Sequence, residues 1–253
     1  SELGSEYRLA AVGIGAPNGS YKLGAIVDAP NLAWKGILPI CSEMEGKLSV
    51  PVILTNDANA AAVGEMLFGA AKGMKDFIVI TLGTGLGSGI VTDGKLVLGH
   101  DGFAGELGHT TVNPNGRKCG CGKCGCLETY VSAPGIRRTI FELMAVSIEP
   151  SSLRNFAYND LSAKIISQKA LEGDSIAREA FERTGELLGL KLADAIATLS
   201  PEAIFLFGGL SKAGDLIFEP TRRSMEKNLF PIYRNKVKLL PSGLQDKNVA
   251  VLG

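Results

Sequence analysis

An α/β fold is what this sequence predicts, and three observations carry that prediction. Two short apolar runs, Phe77–Leu82 and Ala203–Phe207, each lead into glycines and have the length of buried strands. Asp174–Leu199 places Ile176, Ala180, Phe181, Leu187, Leu188, Leu192 and Ile196 at helical spacing. Strand and helix signals alternate along the chain, the pattern of a sheet covered by helices.

Taken in order, Tyr7–Ile14 reads as a mostly apolar strand, followed by the turn residues Gly15-Ala16-Pro17-Asn18-Gly19. Val50–Leu54 is a second strand, ending at Thr55-Asn56-Asp57. From Ala58 an alanine-rich helix runs until Gly69 closes it. Phe77–Leu82 passes into the glycine-rich turn of residues 83–89 and the return strand Gly89–Thr92. Asp93-Gly94 is a hairpin signal, with Lys95–Leu98 as the partner strand. Residues 99–127 are irregular. Beyond Ala133 the chain is mostly helical until Pro201; Ala203–Phe207 and Asn248–Leu252 are the closing strands. The first strand starts near the beginning and the last reaches the end without a covering helix. An unprotected edge at each end leads us to expect a chain cut short at both.

The charge balance narrows the partners. Lys plus Arg equals Asp plus Glu at 26 each, so no net field favours nucleic acid or an anionic membrane. A small-molecule ligand is expected instead. No apolar run approaches the ~18–20 residues of a membrane span, and no charged start leads into an apolar core. Four of the five cysteines lie between Cys119 and Cys126, which in a leaderless chain points to metal rather than disulfides and to a cytoplasmic location. Cys41 stands apart as a small core residue.

The densest chemical signal is His109, Cys119, Cys121 and Cys126, interleaved with Gly120, Gly122 and Gly125. Tetrahedral zinc takes thiolate and imidazole ligands, and ligands one residue apart need the sharp turns that glycine permits. Spacing alone leaves Cys124 a rival of Cys126 for the last position. Four protein ligands would close the coordination shell, which favours a structural zinc. Asp57 sits where a strand hands over to a helix, a place where ligands gather; a lone aspartate there reads first as an N-cap. Gly83-Thr84-Gly85-Leu86-Gly87 can present amides to phosphate but lacks a P-loop's Gly-Lys-Ser/Thr, and is equally a glycine-rich hairpin. Gly208-Gly209 after a strand has the same two readings. Glu106 and Glu128 bracket the cysteine loop, and carboxylates accept from vicinal hydroxyls.

Together, Gly105-Glu106-Leu107-Gly108-His109, the Cys119–Glu128 segment, Leu82–Gly87 and Asn56-Asp57-Ala58-Asn59-Ala60 resemble the ROK family of repressors and sugar kinases. The resemblance implies an actin-like (ribonuclease H-like) ATPase fold. It divides the chain into a remnant small lobe, 1–56, and a large lobe, 57–253, whose zinc loop is 105–128. The implied reaction is ATP-dependent phosphorylation of glucose or a close relative, with Asp57 as general base. Asn18, Gly19, Asn56, Glu106, His109 and Glu128 would hold the sugar. Gly83, Thr84 and Gly85 would meet the phosphates of ATP and its magnesium, and Gly208 and Gly209 the adenosine side. His109, Cys119, Cys121 and Cys126 would hold zinc, with Cys124 a bystander. A homodimer is also expected. The family's opening strand and Asp-x-Gly-Gly-Thr-type phosphate loop are absent from this sequence, so weak ATP binding by the chain as given is expected. A sugar-binding repressor of the same family, without catalysis, is the rival reading, and an inactive, zinc-stabilised sugar-binding fragment is the third.

Overall fold

A computed structural model describes residues 8–29, 33 and 35–244 of the protein. The chain begins with β1 (Val12–Gly15), β2 (Gly19–Ser20), β3 (Ala25–Val27), β4 (Ile37–Leu38) and α1 (Ile40–Leu48). It continues through β5 (Val52–Thr55), α2 (Asp57–Phe68), β6 (Phe77–Leu82), β7 (Leu86–Thr92) and β8 (Lys95–Leu96). After a long irregular stretch come α3 (Ala133–Val146), α4 (Ala163–Leu171) and α5 (Ser175–Leu199). The described part closes with β9 (Ala203–Phe207), α6 (Asp215–Asn228) and β10 (Lys238–Pro241).

The main sheet has the order β10-β9-β6-β7-β8. Strands β10, β9 and β6 run parallel, and β7 and β8 return antiparallel. Strand β6 is apolar on both faces because both faces are covered. Ile78, Ile80 and Leu82 enter the large core shared with α3, α5 and α6, whereas Phe77 and Val79 join Ala61 and Ala62 of α2 on the other side. Helix α2 lies close on β7 because two strand residues there are glycines. A Cβ on Gly89 would strike the Ala58 carbonyl and the Ala62 methyl, and one on Gly87 would come within 2.9 Å of the Ala58 methyl. Gly87, read from the sequence as the end of the phosphate turn, and Gly89, read as the start of the return strand, also form a backbone-to-helix seam.

The parallel pair β1-β5 and the small antiparallel sheet β2-β3-β4 lie before α2. They enclose their own core of Ala16, Ile26, Cys41, Val52 and Leu54. Cys41 is buried there, as its isolation in the sequence suggested.

The α/β class holds, and the differences are at element ends. The first strand starts at Val12, not at the expected Tyr7, which lies outside the described residues. The second begins at Val52, since Pro51 has no amide to donate and serves only as acceptor for Val12. Strand β8 stops at Leu96, and the expected strand Asn248–Leu252 lies outside the described residues. No helix among the described residues is long and apolar enough to cross a membrane.

Candidate active site and metal centre

The carboxyl ends of β6 and β9 and the start of α2 converge on one cleft of about 340 Å³. In sheets with parallel strands this is where ligands gather, because strand ends and helix starts expose backbone groups together. The lining includes Asn18, Asn56, Asp57, Gly83, Thr84, Gly85, Glu106, His109, Glu128 and Gly208. Residues from well-separated stretches of sequence thus share one cavity. Gly19 is outside this lining, held where a Cβ would meet the Thr55 carbonyl, and Gly209 is outside it too. Thr81 and Phe207 line the cleft and were missed by sequence reasoning; their place at the approach to the two glycine turns was the signal.

At the head of α2 the cap is Asn56, not Asp57. Asn56 Oδ1 accepts from the Asn59 amide at 2.7 Å, while Asp57 Oδ1 accepts only from the adjacent Ala58 amide at 3.0 Å. The expected capping duty of Asp57 is therefore corrected. An asparagine in extended backbone geometry takes the cap, and the aspartate is left on the first helical residue facing the cleft. Asn56 keeps its Nδ2 hydrogens to offer a ligand.

Glu106 opens to solvent, yet the cleft wall crowds its carboxyl. That desolvation raises its pKa above the ordinary value; His109 lowers it, and Asp57 and Glu128 add to the rise. Glu128 is braced on both sides. The Leu86 amide donates to Oε2 at 3.4 Å, Ser132 Oγ donates to the Glu128 carbonyl at 2.6 Å, and Oε1 stands 3.8 Å from His109 Nδ1. A Cβ on Gly85 would lie 2.8 Å from Glu128 Oε2, so the glycine turn and this carboxylate need each other's shape.

Beside the cleft, ligand atoms of His109, Cys119, Cys121 and Cys126 all lie within 4.8 Å of one another. Cys126, not Cys124, joins the other three; Cys124 is exposed outside the group. Zinc bonds of about 2.3 Å to sulfur and 2.0–2.1 Å to nitrogen imply tetrahedral edges of about 3.8 Å between sulfurs and 3.6 Å from sulfur to nitrogen. Cys121 and Cys126 sulfurs are 3.7 Å apart, and Cys119 Sγ is 3.6 Å from His109 Nδ1. Donor types and spacings both fit zinc. Burial pushes the Cys119 thiol well above the ordinary range, so a divalent cation is the natural means of ionising it. The loop is held by backbone pairing, including Val112 to Gly125 and Cys119 to Lys123, and Lys123 Nζ donates to the His109 carbonyl at 2.8 Å.

The chain is similar to known proteins along nearly its whole length. A glucokinase of Halalkalibacterium halodurans is 39% identical over 90% of this chain and 69% of its own. A xylose repressor of Caldicellulosiruptor bescii is 35% identical over 96% of this chain and 60% of its own. The crystal structure of a ROK family glucokinase from Streptomyces griseus, in complex with glucose and AMPPNP, superposes with a TM-score of 0.86 at 36% identity. The match covers 97% of this chain and 80% of that one. The shared fold is that of the actin-like ATPases. The ROK family profile matches residues 2–253, and this chain belongs to the ROK family.

Proposed function

We propose that the protein is an ATP-dependent sugar kinase that phosphorylates glucose or a close relative, with Asp57 as general base. The observation that carries this reading is the single cleft in which Asp57, the side chains of Asn56, Glu106 and Glu128, and the Gly83–Gly85 turn face one another. Phosphoryl transfer demands mainly positioning and charge stabilisation, and the cleft offers both. Asp57 would accept the proton of the attacking hydroxyl. Asn56 Nδ2 would donate to a neighbouring oxygen, and Glu106 and Glu128 would accept from hydroxyls further along the ring. The amides of residues 83–85 would face the ATP phosphates and their magnesium, with Gly208 toward the adenosine. Similarity to glucokinases, one of them solved with glucose and AMPPNP, supports this assignment.

Zinc held by His109, Cys119, Cys121 and Cys126 would act as a fastener and not as a reactant. With Nδ1 committed to the metal group, His109 would present Nε2–H to the sugar. The two-lobe reading, 1–56 and 57–253, places the cleft at the junction where closure would exclude water. A cytoplasmic location follows from a thiol-rich metal group that needs a reducing compartment. A homodimer belongs to the same reading on the family likeness alone.

The xylose repressor's similarity supports a second reading, a sugar sensor without turnover. Coupled ADP production over a hexose panel, run beside calorimetric sugar binding, separates the two. Turnover with the sugar that binds is the expected result, at ATP raised to offset the weak nucleotide binding expected without an Asp-x-Gly-Gly-Thr-type loop; tight sugar binding with no ADP at saturating ATP would overturn the kinase.

A further inference from the structure

Arg117 lies between His109 and Cys119 in sequence, outside the cleft lining and outside the metal group. Its side chain is only 10% exposed, and all five guanidinium hydrogens are engaged. Nε and Nη2 form a fork on Glu142 at 2.9 and 2.6 Å. Nη1 donates to the carbonyls of Thr129 at 2.7 Å and Gly135 at 3.0 Å, and Nη2 also donates to Thr139 Oγ1 at 2.9 Å. The guanidinium stacks 4.4 Å from the Tyr130 ring centre. The main chain of Arg117 is used as well: its amide donates to the Tyr130 hydroxyl and its carbonyl accepts from Gly125.

We infer that Arg117 is a positioning residue for the sugar site, clamping the cysteine loop to the start of α3 and so fixing where Glu128 stands. This rests on reading the cleft as that site. The geometry leaves a short path. Thr129, gripped through its carbonyl, follows Glu128 directly. The turn that Arg117 holds at Gly135 also contains Ser132, which holds the Glu128 carbonyl, and Ala133, whose amide donates to the Gly83 carbonyl at 2.9 Å. One guanidinium therefore ties the loop bearing the thiols, the carboxylate that faces the sugar, and the turn that faces phosphate. A lysine cannot replace it, because a point charge with three donors does not span Glu142, Thr129 and Gly135 at once. A simple stability role predicts loss of fold. A positioning role predicts loss of sugar affinity in a folded, metal-loaded protein.

The test uses the full chain and follows hexose affinity by calorimetry, metal per chain, and kcat at saturating sugar. Arg117→Ala is expected to weaken hexose binding about 10–100-fold, the range for groups that orient ligand-bearing residues, with metal content unchanged. The cavity of about 350 Å³ lined by Arg117, Tyr130, Thr139 and Glu142 gives methylguanidine a way in. Millimolar methylguanidine should restore affinity in Arg117→Ala and leave the wild type unaffected. Arg117→Lys should stay weak. If Arg117→Ala does not fold, Glu142→Gln, at an exposed partner, should still weaken the hexose several-fold. Full affinity in a folded Arg117→Ala or in Glu142→Gln, or loss that methylguanidine does not reverse, overturns the clamp. A wild type that binds no hexose removes the sugar site itself, and the clamp's role with it.

Discussion

Glu65 and Gly243, 178 positions apart, are joined by a 2.8 Å hydrogen bond from the glycine amide to Glu65 Oε1. The same fully buried carboxylate accepts from the Ala70 amide at 2.7 Å and Ser242 Oγ at 2.6 Å. It fastens the far end of the helix that begins at Asp57 to the segment just after β10. Glu65→Ala would leave the buried Ser242 hydroxyl and the part-buried amides of Ala70 and Gly243 without their acceptor, each costing up to about 1–3 kcal/mol. We expect a loss of about 3–5 kcal/mol in urea unfolding, the upper range for a single substitution. A change under about 1 kcal/mol would mean the clasp is not held in solution.

Asp57→Asn should lower kcat by about 10²–10⁴ while hexose affinity stays within about threefold, since the base is lost and the pocket persists. Because Asn56 makes the cap, this change should cost the helix little. Asn56→Ala should do the reverse, removing about 1 kcal/mol of stability together with hexose affinity. Asn56→Asp restores the cap but not the Nδ2 donor, so stability should return without affinity. Parallel recovery of both in Asn56→Asp would sink the division of labour between the two residues.

Cys121→Ser should release the metal, and Cys124→Ser should keep it, as measured by metal analysis after gel filtration. Loss of metal should also weaken hexose binding through His109. Equal metal content in the two variants would overturn the ligand assignment.

Glu106 carries a raised pKa in the folded protein. A carboxyl whose folded value lies above its unfolded value stabilises below the unfolded value, near 4.5, and loses that contribution as pH rises through the folded value. Glu106→Gln removes this penalty. Its Tm should match the wild type at the acidic end and exceed it increasingly toward neutral pH, while hexose binding falls. A pH-independent Tm difference would mean that crowding of the carboxyl does not survive in solution.

Much of this could be read from the residues. Phe77–Leu82 is the strand that its apolar run predicts, since a strand buried on both faces needs no alternation. The long helix begins at Ser175 with Asp174 as cap and ends where Pro201 follows. The metal group was legible because thiols and an imidazole crowded between glycines suit a soft cation far better than they suit a solvated loop. Other features left no local trace. Strands of two or three residues, such as β2–β4, are too short to show a period. Helix α6 contains Pro220, a breaker by rule, and its ring packs where Gly185 of α5 has no side chain. The Glu65 clasp and the Arg117 fork join residues that only the fold brings together, so neither could be inferred from spacing.

The seam between α2 and β7 has a consequence for how this protein can change. The height of α2 above the sheet is set there by main chain and methyl groups, not by bulky side chains. The gap between Asp57 and the 83–85 turn therefore depends on close contacts between the backbone of β7 and the first turns of α2. Packing and the geometry of the cleft meet at this seam. At Gly87 and Gly89 they are locked together, and the addition of a single carbon would move both.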